Sequence, residues 1–455
     1  MGVHRFTRNP VLLLVLIAYA TPYDTAASAQ VTAAQADSAS GVTLISLDEA
    51  IRRAEVNEPV FAASVAESRV SQLERANARA SLLPSATYHN QYLFTQGNGT
   101  QDRANQLTTG SSPRFISNNA VHEYTSQAVV NETLGFAQIG AVRLADASAA
   151  RAEAELEIAR RGLVLTVVNL YFNLLTSEAR LASAQRAANE AERFVTLTQQ
   201  REAARESAHA DVVKADIEEQ QRRRDLADFR LAADKARLEL GVLLFPDPRT
   251  AFDVRAGELP PLPDRTVAEA EASANNPELE SALASLHSSE ADLYVARAAY
   301  LPDLALNYTY GIDAPQFAVN GPDGARNLGY SASATLDIPV WDWLSTERKV
   351  KQSQIRRDAA RVALSAAQKQ AVANFSEFYG EAAVAHDQAA SLDTSVTLAQ
   401  ESLRLTKLRY IGGEGTVFEV VDAQNALTSA EMARAEGTVR YRVALAQLQT
   451  LTGRH

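Results

Sequence analysis

Residues 57–92, NEPVFAASVAESRVSQLERANARASLLPSATYHNQY, and residues 275–310, NNPELESALASLHSSEADLYVARAAYLPDLALNYTY, align without a gap at an offset of 275 − 57 = 218. Asn57 falls on Asn275, Pro59 on Pro277, Leu83-Pro84 on Leu301-Pro302 and Tyr92 on Tyr310. Ala78-Arg79-Ala80 falls on Ala296-Arg297-Ala298. Farther along, Asp211-Val212-Val213 and Ala215 resemble Glu419-Val420-Val421 and Ala423. A period near 200 residues is a duplicated half-molecule, far longer than the roughly 20–50 residues of a solenoid unit. The seam is the stretch Pro246 to Pro263, which contains Pro260-Pro261; such proline clusters mark breaks between regular elements. The expected division is therefore 30–247 for the first repeat, 248–264 for a proline-rich linker and 265–455 for the second repeat. Each repeat is expected to hold a helix of about 35 residues ending at Leu-Pro, two strands and a long helical hairpin.

The hairpins are read from spacing. Val167, Leu174, Leu181, Ala188 and Val195 are seven apart, as are Leu364, Ala371, Phe378, Ala385, Leu392 and Ala399. Seven-residue rows sustained over this length predict coiled-coil packing. A helix over roughly 140–200 would be about 90 Å long at 1.5 Å per residue. Breaks are expected near 201–208 (REAARESA) and 411–416, where Gly412, Gly413 and Gly415 cluster.

Four segments carry the other periodicity. Leu304, Leu306, Tyr308, Tyr310 and Ile312 alternate with small and polar residues, as do Tyr330, Ala332, Ala334, Leu336 and Ile338. Weaker counterparts lie at 85–94 (Ala86, Tyr88, Tyr92, Phe94) and about 121–130 (Tyr124, Ala128, Val130). Nine to eleven alternating residues joined by long polar loops is the pattern of a transmembrane β-strand; a soluble sheet with one wet face alternates in the same way. A sheet in lipid must close. Single-chain barrels begin at about eight strands, so four strands require strands from other subunits. Trp341 and Trp343, the only tryptophans, sit just past the fourth segment, as bilayer-interface residues or as core. Tyr300 is a third interface aromatic in this reading.

The remaining composition narrows the function. The formal net charge of -11 argues against nucleic acid, which needs basic stripes. The absence of cysteine removes thiolate chemistry and disulfides. The seven histidines show no zinc spacing, and no nucleophile elbow, Walker loop or dinucleotide fingerprint occurs, so no enzyme activity, cofactor or metal is expected. Residues 1–29 read as a secretory signal peptide: His4, Arg5 and Arg8, then VLLLVLIAYA (11–20), then Ala27-Ser28-Ala29. A buried N-terminal helix is the alternative.

The ordered set of motifs resembles the TolC-like outer-membrane efflux and secretion channels over nearly the whole mature chain. It comprises Ser46-Leu47-Asp48-Glu49-Ala50, both Asn-x-Pro starts, both Ala-Arg-x-x-x-Leu-Pro segments and Ile338-Pro339-Val340-Trp341-Asp342. Most specific is the series Arg409-Tyr410, Gly413, Gly415-Thr416, Glu419-Val420 and Asp422-Ala423. The sequence departs from the family in three places. The first half lacks a proline matching Pro339, Gly415 stands where some members carry arginine, and the lipidated cysteine of many efflux members is missing.

The resemblance implies a mostly α fold with a membrane β part: a homotrimer whose helical hairpins form a periplasmic α-barrel and whose 3 × 4 = 12 strands form one outer-membrane β-barrel. It implies an inner-membrane transporter, a periplasmic adaptor and outer-membrane lipid as partners, in a Gram-negative bacterium. The expected function is the exit duct of a tripartite small-molecule efflux system. The alternatives are the duct of a type I protein-secretion system and a periplasmic structural coiled coil without a pore. The resemblance places Tyr410, Glu419 and Asp422 at the periplasmic gate, and Gly412, Gly413, Gly415 and Thr416 at an adaptor-contact tip. Read without it, the tip is simply a turn, and Glu419 completes a capping box with Thr416.

Overall fold

The computed structural model describes residues 43–94, 122–255, 257, 259–314, 316–321, 324 and 326–453. The expected signal peptide, 1–29, and the first long loop, 95–120, lie outside the described residues.

The duplication is visible element by element. The first run holds α1 (Leu47–Asn57), α2 (Pro59–Ala80), β2 (Ser85–Phe94), β3 (His122–Leu134), α3 (Phe136–Ala203) and α4 (His209–Leu244). The second holds α5 (Arg265–Ala274), α6 (Pro277–Ala298), β5 (Asp303–Ala314), β6 (Leu328–Asp337), α7 (Ser345–Ile411) and α8 (Val417–Thr452). α2 and α6 have 22 residues each, α3 and α7 have 68 and 67, and α4 and α8 have 36 each. Two short strands, β1 (Thr43–Ile45) and β4 (Phe252–Val254), pair with each other. Among the described residues, Thr43 and Leu44 with Ala251, Phe252 and Asp253 make up a small unit of their own.

The expected helix of about 35 residues is two helices in each repeat. Glu58 has φ −78 and ψ 114, and Asn276 has φ −92 and ψ 107, both extended. The following prolines cause this: the ring excludes its predecessor from the α region and supplies no N–H to the preceding turn. Pro59 and Pro277 instead open α2 and α6 at the first-turn position where proline is tolerated. The Asn276 side chain accepts from Leu279 N–H at 3.0 Å. α5 starts likewise on Asp264, whose carboxyl is held below its usual range by the Thr266 hydroxyl and by the Val267 and Thr266 amides.

The heptad rows pack as their spacing predicts: Val167, Leu174, Ala188 and Ala385 are buried. α3 lies along α4 and α8, and α7 along α8 and α6. The proline seam is bound to these helices. Tyr441 on α8 donates to Pro260 O at 2.7 Å, and Tyr379 on α7 donates to Pro263 O at 3.2 Å. The first-repeat counterpart of Tyr379 (379 − 208 = 171) is Tyr171. It is fully buried, with its hydroxyl 2.9 Å from the carbonyls of both Ile45 and Arg255.

The four predicted strands form one antiparallel sheet in the order β2-β3-β5-β6. Its register decides what alternation left open. Tyr88 pairs with Ala128, Ala128 with Tyr310, and Tyr310 with Tyr330; Val130 pairs with Tyr308, and Tyr308 with Ala332. The apolar sets of all four strands therefore share one face. Among the polar groups on that face, Ser126 donates to Asn90 at 2.8 Å and lies 2.7 Å from the Tyr88 hydroxyl. The opposite face carries His89, Glu123, Gln127, Asn131, Asp303, Asn307, Asp313 and Asp337.

Candidate functional site: the hairpin tips and the exposed sheet

The two hairpins turn where the sequence predicts, at 204–208 and 412–416. Gly413 adopts φ 80, the left-handed region that suits glycine. A Cβ on Gly415 would stand 3.0 Å from Tyr410 N and 3.2 Å from its Cα, a tight contact, so the close turn favours glycine there too. Thr416 caps α8, its hydroxyl accepting from Glu419 N–H at 3.3 Å. The Glu419 carboxylate pairs with Arg409 at 3.3 Å. It thus belongs to the turn's own network, whereas Asp422, one turn on, is exposed and has no ion pair among the described residues.

Tyr410 is 5% exposed and packs in a cluster with Phe194, Ala215, Val417, Val420 and Val421. Its ring centroid is 5.4 Å from that of Phe194. Burial pushes the phenol above its usual range, opposed by the neighbouring Ser207. The group that joins the tips is Arg201, at the end of α3. Its guanidinium lies 4.8 Å from the Tyr410 ring centre and donates to the carbonyls of Tyr410 and, at 3.2 Å, Ile411. Those are terminal carbonyls of α7, which lack partners within the helix and carry the negative end of its dipole. Sequence reasoning missed Arg201, because its partner is 209 residues away. Above it, Lys407 pairs with Glu190, Arg186 with Glu431 at 2.8 Å, and Arg180 with Glu436, all between the two hairpins.

Helix geometry also gives Asp422 a direction. A groove of about 670 Å3 runs between α3, α7 and α8, with Glu431, Thr438 and Arg442 on its α8 side. The same stripe of α8 continues through Leu445 to a second cavity, walled by Leu47 of α1 and by Pro260. Asp422 precedes Glu431 by 431 − 422 = 9 residues, which at about 100° per residue puts it on the opposite side of α8 from α1 and the proline strap.

At the other end, Tyr300, Trp341 and Trp343 are 54%, 69% and 78% exposed. The single chain therefore has no core tryptophan. Among the described residues no group of three or more His, Asp or Glu side chains is placed to hold a metal ion.

A duplicated chain of long helical hairpins, joined to a sheet with one exposed apolar face and one polar face, is a TolC-like fold. Known proteins agree. Residues 270–454 match the outer membrane efflux protein family. The pyoverdine export outer membrane protein OpmQ of Pseudomonas aeruginosa is 24% identical over 416 residues, covering 90% of this chain and 83% of OpmQ. Outer membrane protein OprJ of the same species is 24% identical over 172 residues, 38% of this chain and only 36% of OprJ. Among solved structures, the outer membrane protein VceC of Vibrio cholerae superposes with a TM-score of 0.75 at 17% identity, covering 90% of this chain and 96% of VceC. The CmeC outer membrane channel of Campylobacter jejuni gives 0.73 at 15% identity, over 90% and 85%. The second repeat thus matches the outer membrane efflux protein family, and the chain as a whole shares the fold of these solved outer-membrane channels.

Proposed function

We propose that this chain is one third of a homotrimeric exit duct in a tripartite efflux system for small molecules. It would receive cargo from an inner-membrane transporter through a periplasmic adaptor. The observation that carries the trimer is the four-stranded sheet. Its apolar face is exposed, with Tyr88, Tyr308 and Tyr330 solvent-facing in the single chain. Its outer strands β2 and β6 have no further partner strand among the described residues. A sheet in lipid leaves no open edge, and three copies supply 3 × 4 = 12 strands. Exposed apolar rows on α4 (Ile217, Leu231, Val242) and α7 (Ile355, Val362, Leu398) offer matching flanks for neighbouring copies. A pore-free periplasmic coiled coil has no use for such a sheet.

In the ring, α1 and the proline strap form a second layer, and a second layer fits only outside a closed wall of helices. Asp422, on the opposite side of α8, then faces the axis. Three Asp422 carboxylates, with Glu419 beside them, would ring the periplasmic mouth and attract cations. Tyr410 and Arg201 hold the two tips of each subunit together behind that ring. Gly412, Gly413, Gly415 and Thr416 form the adaptor-contact tip, and Tyr300, Trp341 and Trp343 sit at the periplasmic bilayer interface. Native mass measurement of the detergent-extracted protein should give three chains, and planar bilayers should show discrete conductance steps. A membrane-inserted monomer rules the assembly out.

A further inference from the structure

The segment that leads from the sheet into the second long helix combines two features that the fold does not require. The first is an apolar knob. Val340, Trp341 and Trp343 are 89%, 69% and 78% exposed, and Leu344 is exposed beside them. The indole rings meet edge to face, 5.8 Å between centroids. Trp343 and Leu344 hold φ 56 and 63, a left-handed pair without glycine. Such backbone is strained for residues with a side chain and persists where something over-determines it.

The second feature is a cluster of cations directly after the knob. Arg348, Lys349, Lys351 and Arg356 are exposed, and none has an ion-pair partner within 4.0 Å among the described residues. Nearby Arg357 and Arg361 do pair, with Asp358 and Glu290. The cluster stands out in a chain of net charge -11. The cluster begins with Arg348 at the end of the helix's first turn, where the dipole disfavours positive charge. The equivalent turns of α3 carry one arginine, Arg143, which is stacked on Tyr294 at 4.6 Å. The cluster is thus a property of one repeat and not of the duplicated architecture.

We propose that Arg348, Lys349 and Lys351, with the Trp341–Trp343 knob, form a binding surface for anionic phospholipid headgroups of the periplasmic leaflet. This rests on the outer-membrane reading above. Trp341 and Trp343 would sit at the acyl–headgroup boundary. Lys351 begins six residues past Ser345, about 9 Å along the helix. The headgroup layer is about 5–8 Å thick on each side of the bilayer, and lysine and arginine side chains reach back toward it. A phosphate there compensates charges that the protein leaves unpaired, and contact with acyl chains covers the strained knob.

The chain's two tryptophans are both in this knob, so selectively excited tryptophan fluorescence reports on this site alone. The full-length trimer is reconstituted into equimolar phosphatidylcholine and phosphatidylglycerol vesicles in which one lipid or the other carries brominated chains. Brominated phosphatidylglycerol is expected to quench more strongly than brominated phosphatidylcholine. High salt and the Arg348→Gln/Lys349→Gln/Lys351→Gln variant should abolish that preference, each cation contributing roughly fivefold in local anionic-lipid enrichment. If neither brominated lipid quenches, the membrane placement itself is wrong. Equal quenching by both lipids in the wild type overturns the headgroup site and leaves the placement standing. Loss of the trimer in the triple variant, with the wild-type preference insensitive to salt, assigns the cations to the neighbouring subunit and also overturns it. Lys349→Gln alone, which keeps two of the three charges, should show an intermediate preference if the trimer fails in the triple variant.

Discussion

Replacing Arg201 with glutamine should loosen the periplasmic mouth without dissolving the trimer. Arg201 donates to the Tyr410 and Ile411 carbonyls and covers the Tyr410 ring, and its side chain is only 15% exposed. Hydrogen bonds from a charged group contribute about 1.5–3 kcal/mol and a partly exposed cation–π contact about 0.5–1 kcal/mol. Glutamine retains only a shorter, uncharged amide NH2, and the freed carbonyls at the tip regain water, so about 2 kcal/mol per subunit is a reasonable net loss. At about 1.4 kcal/mol per factor of ten, the ratio of joined to separated tips falls roughly thirtyfold in each subunit. A closed mouth needs all three subunits joined, so the effect compounds. Single-channel recording in planar bilayers should show a large rise in open probability, with native mass confirming three chains. Arg180→Gln is the control: Arg180 and Glu436 are 34% and 56% exposed, and such pairs contribute about 1 kcal/mol or less. An Arg201→Gln trimer whose open probability equals that of the wild type refutes the tip link as a gate element.

Asp422→Ala should weaken block by divalent or trivalent cations added from the periplasmic side more than Glu419→Ala does, since Arg409 already engages Glu419; identical block in the wild type and the double variant would remove both acids from the gate. Gly413→Leu, placed at φ 80, should cost about 1–2 kcal/mol locally and abolish adaptor cross-linking while the trimer persists; unchanged cross-linking would sink the contact assignment. The polar face of the sheet carries Glu123, Asp303, Asp313 and Asp337 against one histidine, His89. Reversal potentials in a salt gradient should therefore show cation selectivity, and anion selectivity would contradict a lumen lined by that face. Thr416→Ala should lower thermal stability by about 1 kcal/mol through loss of the α8 cap, measured as a shift of the unfolding midpoint; no shift would mean that the cap contributes nothing.

The sequence by itself determined the duplicated order of elements, the positions of the four strands and the two hairpin breaks. These are local properties: a strand's alternation, a helix's seven-residue rows and the turn chemistry of Gly412, Gly413 and Gly415 are written within a few residues of one another. It did not resolve α1 from α2 or α5 from α6, although Pro59 and Pro277 were in plain view, because apolar spacing on either side of a proline continues whether or not the helix does. Tertiary structure alone decided which strand faces coincide. A one-residue slip in register turns a strand's apolar set to the other side, and only the pairing of Tyr88, Ala128, Tyr310 and Tyr330 fixes it. Tertiary structure also joined Arg201 to Tyr410 and tied the proline seam to Tyr379 and Tyr441. Contacts between residues 116 to 209 positions apart depend on how long helices cross and align, and that is set by packing summed along their whole length, which no local stretch of sequence records.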